Sequence, residues 1–192
     1  MVLDQDSLDR GWNCLRVFAE RLQDIPLSNI KIVGTATLRL AKNADVFISE
    51  AEKILHHKLN VIDGEEEARQ IYLGVAYTSA NQGNSLVIDI GGASTEVIVG
   101  NDMKPMHLVS LNMGCVTFKE RFFADGKISE AAFEQAIQHA KSLLSNVKED
   151  FLQFSWQQCL GASGTPQAIT EILVTQGISD SIRLDYLYNL QQ

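Results

Sequence analysis

The segment Asp89-Ile90-Gly91-Gly92-Ala93-Ser94-Thr95-Glu96 sets two carboxylates, two hydroxyls and two adjacent glycines between apolar runs. Adjacent glycines let a backbone approach a ligand closely, and successive N–H groups in such a turn form a concave nest for an anion. Ser94 and Thr95 add hydroxyl donors. Asp89, at the end of the apolar run Leu86 to Ile90, suits a hard cation such as Mg²⁺ whose shell phosphate oxygens complete. An ordinary Gly-rich hairpin, with Asp and Ser satisfying local backbone groups, accounts for the same residues about equally well.

A second loop, Gly161-Ala162-Ser163-Gly164-Thr165, leads from a strand into a helix, whose free N–H groups and macrodipole attract anions. Gly164 directly follows Ser163, so this is not the G-x-S-x-G elbow of a serine hydrolase. Its plain alternative is a capping loop with Ser163 or Thr165 as the cap. Met113-Gly114-Cys115-Val116-Thr117 reads as a helix start capped by Thr117. Glu65-Glu66-Glu67 opens another helix, where acidic residues stabilise the first turn by ~0.3–1 kcal/mol each. A carboxylate where a strand hands over to a helix can also orient a water, a role suited to phosphoryl transfer. Arg39 and Arg69, near such junctions, could clamp a phosphate, although an ion pair with a neighbouring carboxylate is favoured for either by roughly two to one. His56 and His57 diverge, and His107 and His139 have no partners at metal-ligand spacing. No Ser-His-Asp or Cys-His constellation exists, so a covalent nucleophile is unsupported. Cys14, Cys115 and Cys159 are far apart and odd in number, which reads as buried thiols in a reducing cytosol.

These residues need elements to hold them. Leu8, Trp12, Leu15, Phe18, Leu22 and Ile25 recur at helical spacing, with Asp6 or Ser7 as the cap and Pro26 as the stop. Ile30 to Thr35 reads as a buried strand. Asn43 caps a second helix through Leu55, Leu59 to Ile62 is a strand, and a third helix runs from Glu65 to about Tyr77. This alternation predicts parallel strands with crossover helices, yet two strands alone bury little. From Ser85 the character changes. Leu86 to Ile90, Glu96 to Val99 and Met106 to Leu111 predict an antiparallel meander. Ile128 and Phe133, on either side of Ser129, predict a hydrophobic staple on a long helix to Val147. Trp156 to Leu160 is a strand, and Thr165 to Gln176 a helix stopped by Gly177. The polar stretch 79–84 is the expected boundary.

The chain has 192 residues, with 24 acidic against 16 basic, a net charge of −8. That balance argues against nucleic acid or an anionic membrane as the main partner. It leaves phosphate ligands open, because backbone amides and a metal can hold them. No signal peptide and no apolar run near the ~20 residues of a membrane span is present.

The motifs Gly34-Thr35-Ala36-Thr37-Leu38-Arg39, Gly64-Glu65-Glu66-Glu67-Ala68-Arg69, Asp89 to Glu96, Met113-Gly114-Cys115-Val116 and Gly161 to Thr165 occur in this order. In that order the sequence resembles the exopolyphosphatase / guanosine pentaphosphate phosphohydrolase family, over essentially the whole chain. It is more similar to the pentaphosphate branch, through the opening Gly11 to Leu22, the run Thr35 to Leu40, and alanine at position 93 where polyphosphatases usually carry glycine. The resemblance implies an α/β fold of the actin-like ATPase, ribonuclease H-like architecture, with parts of two domains around a phosphate-binding cleft. Residues 1–84 would be an incomplete first domain and 85–192 the first part of the second. It implies Mg²⁺-dependent hydrolysis of the terminal 5′-phosphate of guanosine 5′-triphosphate 3′-diphosphate, yielding the tetraphosphate alarmone of the stringent response in the cytoplasm. By motif position, Glu67 would orient and deprotonate water, Asp89 would associate with the metal, and Gly91, Gly92, Ala93, Ser94 and Thr95 would cradle phosphate. Glu96 would be a second acidic residue at the cleft, Arg39 would face the phosphates, and Ser163 and Gly164 would line the cleft. Family members begin with a strand and an Asp-Leu-Gly-Ser-Asn-Ser loop that this chain lacks, and they continue past its end, so a fragment is expected. Exopolyphosphatase activity and a non-catalytic module binding guanosine phosphates or polyphosphate are the alternatives. A homodimer is open for the full-length form.

Overall fold

The computed structural model describes residues 1–79 and 83–190. The chain forms two compact units, Met1–Asp63 and Gly64–Gln192. Of the expected boundary stretch, residues 80–82 lie outside the described residues.

In the first unit, α1 (Gln5–Leu22) starts at Asp4, not at Asp6 or Ser7. The Asp4 carboxylate accepts from the Ser7 amide at 2.7 Å, satisfying one of the donors that a helix start leaves open. The helix ends well before Pro26, after which Leu27–Asn29 form a 3-10 turn. Trp12 stacks on Phe47 with ring centroids 6.2 Å apart, and its indole N–H donates to the Phe47 carbonyl. Strand β1 (Ile32–Gly34) leads into a short α2 (Ala36–Leu40), then α3 (Ala44–Leu55) and β2 (Leu59–Val61). The two strands pair in parallel, Ile32 opposite Leu59, as the strand–helix alternation predicts. Asn43 does not cap α3 with its side chain; its amide instead exchanges hydrogen bonds with both backbone groups of Leu3.

The second unit is built on a four-stranded sheet in the order β5-β4-β3-β6. β3 (Asn84–Ile90), β4 (Thr95–Asn101) and β5 (Lys104–Leu111) form the expected meander, and β6 (Gln158–Ala162) joins β3 in parallel. One face is covered by α4 (Gly64–Thr78), whose Ala68 and Tyr72 pack on Val87 and Ile98, with Leu108, Leu160 and Ala162 alongside. Gly100 makes room for the Tyr72 ring, which a Cβ there would strike, and the Tyr72 hydroxyl donates to the Asp102 carbonyl at 3.0 Å. On the other face Leu86, Val99 and Phe151 form a core with Val97, Val109 and Trp156. Phe151 comes from α7 (Lys148–Leu152), which follows α6 (Glu130–Ser145). The remaining helices are α5 (Cys115–Phe122), α8 (Gly164–Thr175) and α9 (Leu184–Leu190).

Ser129 caps α6 as predicted, accepting from the Ala132 amide. The staple is not made: Ile128 is 80% exposed, and Phe133 turns to the Phe123 ring instead. The expectation of buried thiols is also overturned, since all three cysteines are exposed. Cys14 stands on an outward position of α1, Cys115 at the first position of α5 and Cys159 on an edge strand, β6. Among the described residues, no helix is long and apolar enough to cross a membrane.

Candidate active site

Strand register assembles the site. Glu96 lies opposite Ser110 on one side and Asp89 on the other, and Asp89 lies opposite Ala162. Ser110, Glu96, Asp89 and Ala162 thus form one row across the sheet. Side chains two positions apart share a face, so this row continues the apolar surface of Leu108, Ile98, Val87 and Leu160 on which α4 rests. The core face becomes acidic at its end. Glu67, in the first turn of α4 and next to the fully buried Ala68, is near enough for its charge to act on both Asp89 and Glu96.

Glu96 is only 1% exposed. The Ser110 hydroxyl donates to its Oε1 at 2.6 Å, and the Ser94 hydroxyl also supports it. Burial foremost, then repulsion by Glu67 and Asp89, pushes its carboxyl above the ordinary range despite those two donors. Asp89 is raised by burial first, with the Ser163 hydroxyl opposing and Glu67 adding to the shift. The row therefore stores unfavourable negative charge.

The Gly91–Ser94 turn is held from behind. Its Gly91 amide donates to the Ser94 carbonyl at 3.1 Å. The carbonyls of Gly91 and Gly92 accept from the first amides of α5, Cys115 at 2.9 Å, Val116 at 2.9 Å and Thr117 at 3.2 Å. Gly114 lies so close to the Gly92 carbonyl that a Cβ would overlap it. Thr117 accepts from the Gly114 amide at 3.0 Å, and Thr95 donates its hydroxyl to the Met113 carbonyl. The start of α5 thus clamps the turn's carbonyls. Among the described residues, no hydrogen bond within the fold engages the amides of Gly92, Ala93 or Ser94. That is the arrangement an anion nest requires.

Ser163 follows β6 beside Asp89 with φ 72 and ψ −177, a backbone region sparsely populated by residues other than glycine. It makes no capping bond to α8; its hydroxyl serves Asp89 instead. An open cavity of about 690 Å³ runs along β6 and α8, with Ser163 in its lining.

The Ppx/GppA phosphatase family model matches residues 1–190. The chain belongs to that family. A guanosine-5'-triphosphate,3'-diphosphate pyrophosphatase of Pseudoalteromonas atlantica is 74% identical over all 192 residues, which are 38% of that relative's length. The chain therefore spans well under half of the curated relatives it matches. Among solved structures, the Aquifex aeolicus PPX-GPPA enzyme superposes with a TM-score of 0.71 at 27% identity, over 91% of this chain and 56% of that one. An exopolyphosphatase of Cytophaga hutchinsonii shares the fold at TM-score 0.76 and 24% identity, over 96% and 59%. The architecture is the actin-like α/β fold of Ppx/GppA phosphatases.

The motif residues of the family divide between the units. Glu67, Asp89, Gly91 to Glu96, Ser163 and Gly164 lie in the second. Arg39 lies in the first, where its guanidinium donates to the Ile62 carbonyl at 2.9 Å. Arg69 pairs with Glu66 on its own helix at 3.5 Å, the plainer of its two readings. Among the described residues, no group of three or more His, Cys, Asp or Glu side chains is arranged to hold a metal. A hard cation still fits Asp89: Mg²⁺ is commonly held by one or two carboxylates, with waters and substrate phosphates completing the octahedron, and the row's excess negative charge favours a cation there. Sequence reasoning missed Ser110 and took Gly114 to Thr117 for a helix start alone. The signal for Ser110 was a hydroxyl two residues from Leu108 on an inward-facing strand position.

Proposed function

We propose that the full-length protein hydrolyses the terminal 5′-phosphate of guanosine 5′-triphosphate 3′-diphosphate, releasing orthophosphate and the tetraphosphate. The observation that carries this reading is a single one: Glu67 acts on the Asp89–Glu96 pair beside a turn in which, among the described residues, the amides of Gly92, Ala93 and Ser94 make no hydrogen bond within the fold. Gly92, Ala93 and Ser94 would bind the terminal phosphoryl oxygens through those amides. Glu67 would orient a water in line with the terminal phosphorus and take its proton. The new bond joins the water oxygen to phosphorus, and the bond to the bridging oxygen breaks, that oxygen leaving with its electron pair. Asp89 would hold Mg²⁺, which when bound supplies positive charge to the phosphate oxygens. Ser163 would keep the Asp89 carboxylate in place, and Gly164 would line the phosphate site beside it. The enzyme would be cytoplasmic, with no nucleic-acid or membrane partner.

The test is phosphate release by the full-length protein from the guanosine pentaphosphate and from polyphosphate, with Mg²⁺ and with chelator. A higher kcat/KM for the pentaphosphate, lost on chelation, is expected. A higher value for polyphosphate would make the protein an exopolyphosphatase. Binding of either without Mg²⁺-dependent turnover would overturn the hydrolase reading in favour of a binding module.

A further inference from the structure

Ser110 belongs to none of the sequence motifs, yet it closes the acidic row. Its position depends on an irregularity in the β4–β5 pairing, where β5 carries one extra residue, Met106. Near the hairpin Asn101 pairs with Lys104 and Gly100 with Pro105, a register that, carried on, would set Glu96 opposite Val109. A register shift between Val99 and Gly100 intervenes, and Glu96 meets Ser110 instead. A slip of one residue exchanges the two faces of a strand, and bulges near active sites commonly re-aim a side chain in this way. The shift brings a hydroxyl, not a valine, to a carboxylate that is 1% exposed and out of reach of bulk water.

The bond itself is short, 2.6 Å from Ser110 Oγ to Glu96 Oε1, in the range of a hydroxyl donating to an ionised oxygen. Ser94, at the end of the Gly91–Ser94 turn, is 4% exposed and sets a second hydroxyl close enough to Glu96 to favour its ionised form. A lysine or arginine would satisfy the carboxylate more strongly, but it would cancel the negative charge that lets Asp89 attract a cation. A neutral donor with a single rotatable bond fixes Glu96 and leaves the charge of the row intact.

We propose, resting on the phosphohydrolase reading above, that Ser110 is a positioning residue: it fixes the Glu96 carboxylate, which in turn anchors the phosphate-binding turn through Ser94. Full-length protein carrying Ser110→Ala is expected to raise KM about tenfold with kcat changed by less than about twofold. Ser110→Thr, which keeps the hydroxyl, reverses most of that rise. On a Glu96→Gln background Ser110→Ala costs nothing further, because both changes break the same relay. An unchanged KM in Ser110→Ala, or the same fold-loss on both backgrounds, would overturn the proposal. If the unsubstituted protein releases no phosphate, the hydrolase reading fails and the relay is read directly by infrared spectroscopy. The carboxylate band that Glu96→Gln removes should then shift in Ser110→Ala; a band that stays in place removes the relay.

Discussion

Asp89 and Glu96 make the site and weaken the fold that carries it. Both carboxyls titrate above their ordinary values of 3.8 and 4.5, chiefly through burial, with Glu67 adding repulsion. The folded state therefore binds protons more readily than the unfolded chain. Their stabilising contribution is complete below about pH 4 and is lost as the pH rises through the raised values. Asp89→Asn removes one of these charges, so its melting midpoint should lie above that of the unsubstituted protein at pH 7. The gap should narrow as the pH falls toward about 4, because the raised Asp89 carboxyl takes up its proton in the folded state before it would in the unfolded chain. Thermal melts at the two pH values check this, and a lower midpoint for Asp89→Asn at pH 7 would contradict it. A stabilised but inactive variant is the usual trade at a functional site. The acid at a strand end and the glycine pair after it were legible as chemistry, because residue type and spacing alone carry that message. Ser110 was not, because its role depends on a register shift that no spacing rule registers.

The elements around the turn act as a clamp, and glycine is what allows it. Gly114 touches the Gly92 carbonyl and Gly100 the Tyr72 ring, so a methyl group at either must displace something. Overpacking of this kind costs about 1–3 kcal/mol. The two sites differ in what is displaced. Gly114→Ala moves the turn, so it should raise KM for the phosphate substrate as well as lower the melting midpoint. Gly100→Ala disturbs the α4–sheet packing and should lower the midpoint while KM stays within about twofold. Equal KM values for Gly114→Ala and the unsubstituted protein would show that the clamp does not govern binding. At this scale the strands and long helices followed from hydrophobic period. The five-residue helix α2 did not, being too short for a 3.6-residue period to be read. The staple at Ile128 failed because a local pattern cannot see that Phe123 offers Phe133 a better partner. The exposed cysteines were misjudged by residue type, because their places on outer faces are set by how whole elements pack.

For the molecule as a whole, electrostatics decides what the site can hold. The chain carries a net charge of −8, and the turn lies beside three carboxylates, Glu67, Asp89 and Glu96. A polyphosphorylated anion is repelled by that field unless a cation intervenes. Chelation should therefore weaken substrate binding as well as halt turnover, and more so at low salt, where screening is least. Calorimetric titration of the pentaphosphate with and without Mg²⁺ tests this; equal affinities would contradict it. The order of the motifs along the chain made the family legible before any fold was known, whereas the convergence of Glu67, Asp89 and the turn needed the sheet. Single-turnover phosphate release from full-length protein carrying Glu67→Gln, at saturating Mg²⁺ and pentaphosphate, reads out that convergence. Removing a base that orients water should slow release by about a hundredfold or more with substrate affinity retained. A loss of less than about tenfold, or ~1.4 kcal/mol in the barrier, would show that Glu67 is not that base.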